Sequence, residues 1–363
     1  MKAAVLRELG GALGIEDLAI ASPRADEVLV RVTAVGLCHS DLHAMQGVPP
    51  LPLPMVPGHE VAGVVEQVGE NVRRVKPGDS VVVLLTFHCG HCDQCESGHS
   101  NRCFPPEARR AATEPHRLCK GAEPIAQFAN IGGFAEQVLV HESGCVAITP
   151  DIAPDKACLI GCGVTTGMGA AIRSAAVRPG QSVAVIGCGG VGLSAINGAA
   201  IAGAGRIVAI DVLPAKLAMA REFGATDTID ASAGGVVEQV LELTRGRGVD
   251  HAIECIGRKD TIEAGCAMLG KGGMATIVGV TPPEMRIELS PLHLMLGERR
   301  VQGSFMGGVR TMVDIPRYAE LYLQGRLHLD QLVSQRLTLD QVNQGFAAMK
   351  QGGLARSVIV FDA

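Results

Sequence analysis

Four cysteines spaced Cys89-x2-Cys92-x2-Cys95-x7-Cys103 are the residues of this chain whose type and spacing most directly imply chemistry. Thiolates this close together can wrap a tetrahedral ion, and an all-sulfur closed set is the ligand choice of structural zinc. An iron–sulfur cluster is the competing reading. The bacterial run of that kind closes with a gap of three residues and a following Pro, whereas the last gap here is seven. Four free loop cysteines are the plainer alternative. Gly90, Gly98 and Asn101 suit the turns that fold such a lobe around a metal. With all four positions taken, a zinc in this lobe does no chemistry.

A second signal is Gly187-Cys188-Gly189-Gly190-Val191-Gly192, a G-x-G-x-x-G string. A chain with 46 glycines produces such strings by chance, so context decides. The string follows the apolar run Ser182–Ile186, opens a helical stretch, and is followed by Asp211 at the end of the next apolar run. That is the setting of a dinucleotide fingerprint. Gly187 makes the tight turn, Gly189 admits the pyrophosphate, Gly192 lets helix and strand pack closely, and the helix N-terminus with Gly190 and Val191 faces the phosphate charge. Asp211 accepts hydrogen bonds from ribose hydroxyls and repels an added phosphate. With no Arg directly after it, the sequence favours NAD over NADP.

The elements around these signals fall into two rhythms. Up to about residue 160 the chain is β-rich: Glu27 to Thr33 alternates, Val61 to Val68 and Ser80 to Leu85 are apolar, and Pro49-Pro50, Pro57-Gly58 and Pro77-Gly78 punctuate them. From Pro179-Gly180 onward strands and helices alternate. Strands are expected at Ser182–Ile186, Arg206–Asp211, Thr226–Ile229, Val249–Glu254, Met274–Val280 and Arg300–Phe305, and helices at Gly192–Ala202, Ala215–Phe223, Val236–Thr244 and Thr261–Leu269. Alternation of this kind makes a doubly wound parallel sheet. After Met306 come amphipathic helix and a last strand, Ser357 to Phe361, placed to rejoin the first domain. The expected class is α/β, with a β-rich, barrel-like catalytic domain over 1–162, a Rossmann domain over 163–305 and a return to the catalytic domain over 306–363.

Three further pieces are weak singly: Gly36-Leu37-Cys38-His39-Ser40-Asp41-Leu42-His43, Gly58-His59-Glu60, and Gly161-Cys162-Gly163-Val164-Thr165-Thr166-Gly167. A lone Cys is usually a small buried hydrophobe. Together with the cysteine lobe and the fingerprint, in this order along almost the whole chain, they resemble the zinc-containing alcohol dehydrogenases of the medium-chain dehydrogenase/reductase superfamily. The resemblance implies an NAD-linked enzyme with two zinc ions per subunit. It makes Cys38, His59 and Cys162 ligands of a catalytic zinc with an open fourth position. Glu60 is then the nearby carboxylate that helps exchange ligands, and Asp41, which alone reads as a turn or cap residue, orients His59. Acidifying an alcohol as zinc acidifies water, by about 8 pKa units, is worth roughly 11 kcal/mol. Ser40 accepts the released proton and passes it through the cofactor ribose to His43, which otherwise reads as a surface histidine. Thr166 sits behind the nicotinamide, His39 and Arg356 reach the pyrophosphate, and Lys216 lies near the adenosine ribose or is a solvated helix charge.

The substrate is less legible. Leu85 stands where primary-alcohol enzymes of the family often carry an aromatic ring, so a wider substrate is expected, with Val280 and Phe305 as further wall residues. The Gly161–Gly169 segment resembles the thiol-dependent formaldehyde dehydrogenase branch, but the Arg typical of that branch appears here as Glu107. A non-catalytic sensor that binds NAD and zinc is the reading from another class; the complete set Cys38, His59, Cys162, Ser40 and His43 argues against it. Segment 104–131, with Arg109, Arg110, Cys119 and Lys120, reads as loop without an evident role.

Bulk properties remove other classes. A net charge of −5 supplies no basic stripe for nucleic acid, and 3% aromatic content with no Trp supplies no base-stacking platform. Val183 to Ile210 is apolar but broken by glycines, Asn197 and Arg206, so a membrane span is not expected. Met1 to Leu6 is followed at once by Arg7 and Glu8, too short for a secretory core. Twelve cysteines in a long chain of this kind point to metal binding in the cytoplasm rather than to a secreted disulfide framework. The expected partner is a small alcohol or aldehyde, in a homodimer or homotetramer.

Overall fold

The computed structural model describes the 363-residue chain except for Pro49, Ala112, Gly353, Leu354, Asp362 and Ala363. Of the punctuation read from sequence, Pro49 therefore lies outside the described residues. The chain forms two compact units, one of residues 1–163 and 310–363, the other of 164–309.

The first unit is β-rich. Its main sheet has seven strands, running in order Cys145–Ala147, Ser80–Val83, Glu60–Val68, Glu27–Gly36, Arg356–Val360 and Val333–Leu337, with Gln137–His141 also on Glu27–Gly36. Glu27–Gly36 thus serves three partners, all antiparallel. Register shifts between Leu29 and Val30 and between Val32 and Ala34 bend it, as bulges do. Its inward side chains, among them Val30, Val32 and Val35, pack with Val61, Val65, Val81, Val83, Phe134, Phe346 and Ile359 in one core. The last strand, Arg356–Val360, closes on Glu27–Gly36 and so carries the end of the chain back to the first unit.

Segment 104–131 has a structural role that the sequence reading missed. Leu118–Lys120 and Glu123–Gln127 pair in a small four-stranded sheet with Ala19–Ile20 and Met55–Val56. Arg110 and Arg117 both grip Glu27, at 2.5 and 2.8 Å, with all three side chains nearly buried. Lys120 pairs with Glu16 at 2.8 Å.

The second unit is a six-stranded parallel sheet in the order Asp227–Asp230, Arg206–Asp211, Ser182–Ile186, Val249–Glu254, Leu269–Ile277, Arg300–Gly303. The strand order reverses at Ser182–Ile186, the doubly wound topology that opens a crevice at the carboxyl ends of the strands. Ala184, Ile186, Val208, Ile210, Ile229, Val240, Ala252 and Cys266 form one face of its core. The helix Gly190–Ile201 is buried along most of its length, which fits a sequence that is apolar or glycine all round except for the buried Ser194 and Asn197. Two strands depart most from the bounds expected from the sequence. The fifth strand starts at Leu269, where a helix end was expected, and stops at Ile277, which leaves Val280 in the following loop. The sixth stops at Gly303, which leaves Phe305 beyond it.

Candidate metal centres and nucleotide site

In the first unit, a single buried carboxylate organises the open ligand set. Cys38 is the N-cap of the helix His39–Met45, and Asp41 on its first turn returns a bond to the cap, Oδ2 accepting from the Cys38 N–H at 3.1 Å. The other oxygen, Oδ1, accepts from the Gly58 N–H and from His59 Nδ1, both at 2.9 Å. Asp41 is fully buried, so these three bonds are what make its burial tolerable. His59 is consequently fixed with Nδ1 toward Asp41 and Nε2 facing inward, buried and without a partner. Cys38, His59, Glu60 and Cys162 bring one donor atom each within 4.8 Å of one another. An orphaned imidazole nitrogen beside two thiols is the donor set for a zinc with an open position.

Charge in this pocket agrees with such an occupant. The hydrogen bond from Cys162 and the facing Arg356 guanidinium hold the Cys38 thiol well below its ordinary value. Burial pushes Glu60 up to about 8, against the pull of Arg356. Glu60 Oε1 accepts from the Gly163 N–H at 3.1 Å and lies 3.4 Å from Arg356 Nη2. Gly163 leaves the room that the guanidinium occupies. Arg356, which the family resemblance assigns to the pyrophosphate, is buried beside Glu60 and the ligand set. Ser40 Oγ accepts from Cys38 Sγ at 3.7 Å, and His43 Nδ1 is buried without a partner. His39 is exposed at the start of the same helix, and Leu85 is half-buried against the core.

The cysteine lobe is a separate, closed centre. Cys89, Cys92, Cys95 and Cys103 also lie with all sulfurs within 4.8 Å of one another. Gly90 and Gly98 take positive φ, 87° and 79°, at its turns. Sulfurs meet at 3.6 Å between Cys92 and Cys95 and at 3.7 Å between Cys103 and Cys89. A backbone bond from Cys95 holds Cys92 down at about 7, whereas burial pushes Cys103 up to about 12. Four sulfurs that can fill all four positions of a tetrahedral ion fit structural zinc. His91 and Glu107 approach Cys89 from outside but are exposed.

In the second unit, the fingerprint glycines meet three different demands. Gly187 has φ 92°, and a Cβ there would come 2.5 Å from Ile256 Cγ1. A Cβ on Gly192 would collide with the Gly187 carbonyl oxygen. Gly189 faces open space, the cradle that a phosphate needs at the helix starting at Gly190. Asp211, at the end of its strand, is buried, and Oδ2 accepts from the Cys188 N–H at 2.8 Å while Oδ1 accepts from the Leu213 N–H at 3.0 Å. Lys216 is half-buried on the helix Pro214–Glu222. Thr166 Oγ1 donates to Met306 Sδ at 3.5 Å. Val280 and Phe305 are both exposed in loops.

An open Cys/His ligand set, a closed thiolate lobe and a dinucleotide-type sheet define a zinc-dependent oxidoreductase. Residues 24–151 match the alcohol dehydrogenase GroES-like domain, and residues 190–322 match the zinc-binding dehydrogenase family. The chain is similar to a solved alcohol dehydrogenase zinc-binding domain protein from Burkholderia ambifaria, with 38% identity over 100% of this chain and 99% of that one and a TM-score of 0.94. It is similar to benzyl alcohol dehydrogenase from Acinetobacter calcoaceticus, with 33% identity, 99% of both chains and a TM-score of 0.94. A zinc-binding dehydrogenase from Sinorhizobium meliloti bound to NADP matches at 29% identity, 99% of both chains and a TM-score of 0.83. The chain belongs to the zinc-binding dehydrogenases of the medium-chain dehydrogenase/reductase superfamily.

Proposed function

We propose that this protein oxidises an alcohol, primary or secondary, to the aldehyde or ketone with NAD, and runs the reverse reduction. The observation that carries the reading is the orphaned His59 Nε2, fixed by Asp41 beside Cys38 and Cys162. Zinc held by these three residues supplies a Lewis acid for the substrate oxygen, and NAD supplies the hydride acceptor.

The chain's own residues do the rest. Asp41 holds the His59 ring so that only Nε2 faces the ligand set. Glu60, its charge opposed by burial and balanced by Arg356, stands beside the ligands as the exchangeable carboxylate. Ser40 accepts the substrate hydroxyl proton, and His43, three residues along the same helix, delivers it to solvent. Gly187 to Gly192 bind the pyrophosphate, and Asp211 accepts from the ribose hydroxyls on lone pairs that Cys188 and Leu213 leave open. The closed lobe holds a second zinc for structure alone.

The substrate we assign is an alcohol bulkier than ethanol, with a branched, cyclic or aromatic group. Leu85 supports the wider pocket, and the benzyl alcohol dehydrogenase relative supports the aromatic case. Exposed Leu292, Met295 and Leu296 on the helix Pro291–Gly297, beside the edge strand Arg300–Gly303, suit a homodimer or homotetramer. Among the described residues no helix is long and apolar enough to cross a membrane. NADH formation with ethanol, cyclohexanol, benzyl alcohol, and formaldehyde plus a thiol tests the proposal. Turnover of benzyl alcohol or cyclohexanol is expected, and turnover of the thiol adduct alone would overturn it.

A further inference from the structure

Glu254 closes the strand Val249–Glu254 and is 2% exposed. Three donors converge on one of its oxygens: Oε1 accepts from the Ile256 and Gly257 N–H groups, both at 2.9 Å, and from Thr261 Oγ1 at 2.8 Å. The other oxygen, Oε2, is buried and has no partner. Burial pushes this carboxyl upward, and the three donors restrain it. A turn alone is served by Asn, Ser or Gly, without burying a carboxyl group.

The loop that Glu254 folds makes two close contacts. Ile256 lies against Gly187 of the phosphate loop, so closely that any Cβ on Gly187 would strike it. Gly257, at φ 86°, packs on Gly279 and Val280, and a Cβ on Gly257 would enter their backbone. The main chain adds to this: the Glu254 carbonyl accepts from Val278 N–H at 2.8 Å and Gly279 N–H at 3.1 Å, and Cys255 N–H donates to the Ile186 carbonyl at 2.9 Å. The carboxyl ends of three adjacent strands are therefore tied together around one residue.

The sheet order says which part of a ligand this serves. Asp211 ends the strand on one side of Ser182–Ile186, and Glu254 ends the strand on the other side. A dinucleotide straddles such a reversal, with one nucleoside on each side. We propose that Glu254 is a positioning residue for the nucleoside on the side away from Asp211, the nicotinamide half, acting through Ile256 and Gly257. This assignment rests on the dinucleotide reading above. The plainer role for Glu254 is to cap the helix Lys259–Ala267, whose N-cap Arg258 makes no side-chain capping bond. A cap affects stability; it does not discriminate between halves of a ligand.

The test uses the full chain and measures Kd for NADH and for ADP, which lacks the second nucleoside, together with melting temperature. Glu254→Ala is expected to weaken NADH by about tenfold or more, because two backbone donors lose their acceptor, while ADP, which shares only the phosphate loop that Ile256 touches, loses several-fold less. Glu254→Gln, whose amide oxygen can replace Oε1, is expected to stay within about threefold for NADH. Thr261→Val, which removes one donor only, is expected to lose NADH affinity by a few-fold and decides the matter if the Ala variant does not fold. Unchanged NADH affinity in folded variants, or parallel loss of NADH and ADP, would overturn the assignment. A wild type that binds ADP but no dinucleotide would overturn the dinucleotide reading, and this inference with it.

Discussion

Replacing Asp41 by Asn changes one atom in the most connected residue of the open centre. The carboxylate accepts three bonds, from Cys38 N–H, Gly58 N–H and His59 Nδ1. An amide has one oxygen, so one of its two positions must present N–H to a donor. If the oxygen keeps the Oδ1 place, the buried Cys38 N–H loses its acceptor, at a cost of about 1–3 kcal/mol. If it takes the Oδ2 place, the amide nitrogen faces His59 Nδ1 and makes it an acceptor. The imidazole then carries its proton on Nε2, the nitrogen that a metal needs bare. Either arrangement also removes the charge that raises His59 well above its ordinary value in spite of burial. Loss of such a supporting group typically weakens metal binding by about 10- to 100-fold, or about 1.4–2.8 kcal/mol. Titration of the zinc-loaded protein with a chelator should release one zinc at correspondingly lower chelator concentration in Asp41→Asn, with the second zinc unmoved. If both zinc ions are held as tightly as in wild type, Asp41 does not set the ligand geometry.

The two centres should separate in metal analysis: wild type carries two zinc equivalents, Cys162→Ala loses one together with activity while staying folded, and Cys95→Ala chiefly loses stability or assembly. One equivalent in fully loaded wild type would remove one centre. NAD should give the higher kcat/KM over NADP, and Asp211→Gly should narrow the ratio mainly by weakening NAD; a native preference for NADP refutes that role. Leu85→Phe should slow benzyl alcohol and cyclohexanol relative to ethanol, with about ten- to a few-hundredfold at stake in kcat/KM, the value of one or two methylene-sized spaces. Equal losses for all three alcohols would make Leu85 irrelevant to selectivity. Acid should loosen the clasp at Glu27. Burial alone would raise this carboxyl, but Arg110 and Arg117 hold it at about 2 against 4.5 when free. A lowered value stabilises the fold above pH 4.5, and that stability drains away as pH falls through 4.5 toward 2. The drop is worth at most about 3 kcal/mol, and solvent screening at the rim of the cluster reduces the expected loss to about 1–2 kcal/mol. Urea midpoints at pH 7 and pH 3 should therefore diverge more in wild type than in Glu27→Gln, and equal divergence would remove Glu27 from the account.

What the sequence disclosed followed from how locally each feature is specified. Ser182–Ile186 and Arg206–Asp211 are short apolar runs bounded by Gly, Asp and Arg, and both were legible to the residue. Leu269–Ile277 was not, because Gly270, Gly272 and Gly273 interrupt its start and hide a strand that pairing with Val249–Glu254 supplies. The four-cysteine lobe carries its whole ligand set within fifteen residues, whereas Cys38, His59 and Cys162 are united only by the fold, so their grouping rested on family resemblance. Arg356 belongs to a strand that pairs with Glu27–Gly36 far back in the chain, and nothing near it in sequence announces Glu60. The grip of Arg110 and Arg117 on Glu27 was invisible for the same reason. Glu254 went unread although a signal existed: an acidic residue that ends an apolar strand three residues before a Gly, as Asp211 ends its own strand.

Hydride transfer itself can be followed most directly with benzyl alcohol deuterated at the carbinol carbon. Incubated with the zinc-loaded protein and NAD, it should yield benzaldehyde and a reduced nicotinamide carrying one deuterium at the ring carbon that accepts hydride. Stripping of the open centre should abolish that label, and restored zinc should return it. Reduced cofactor without deuterium, or label that persists undiminished with the Cys38, His59 and Cys162 site empty, would contradict a zinc-assisted alcohol dehydrogenase.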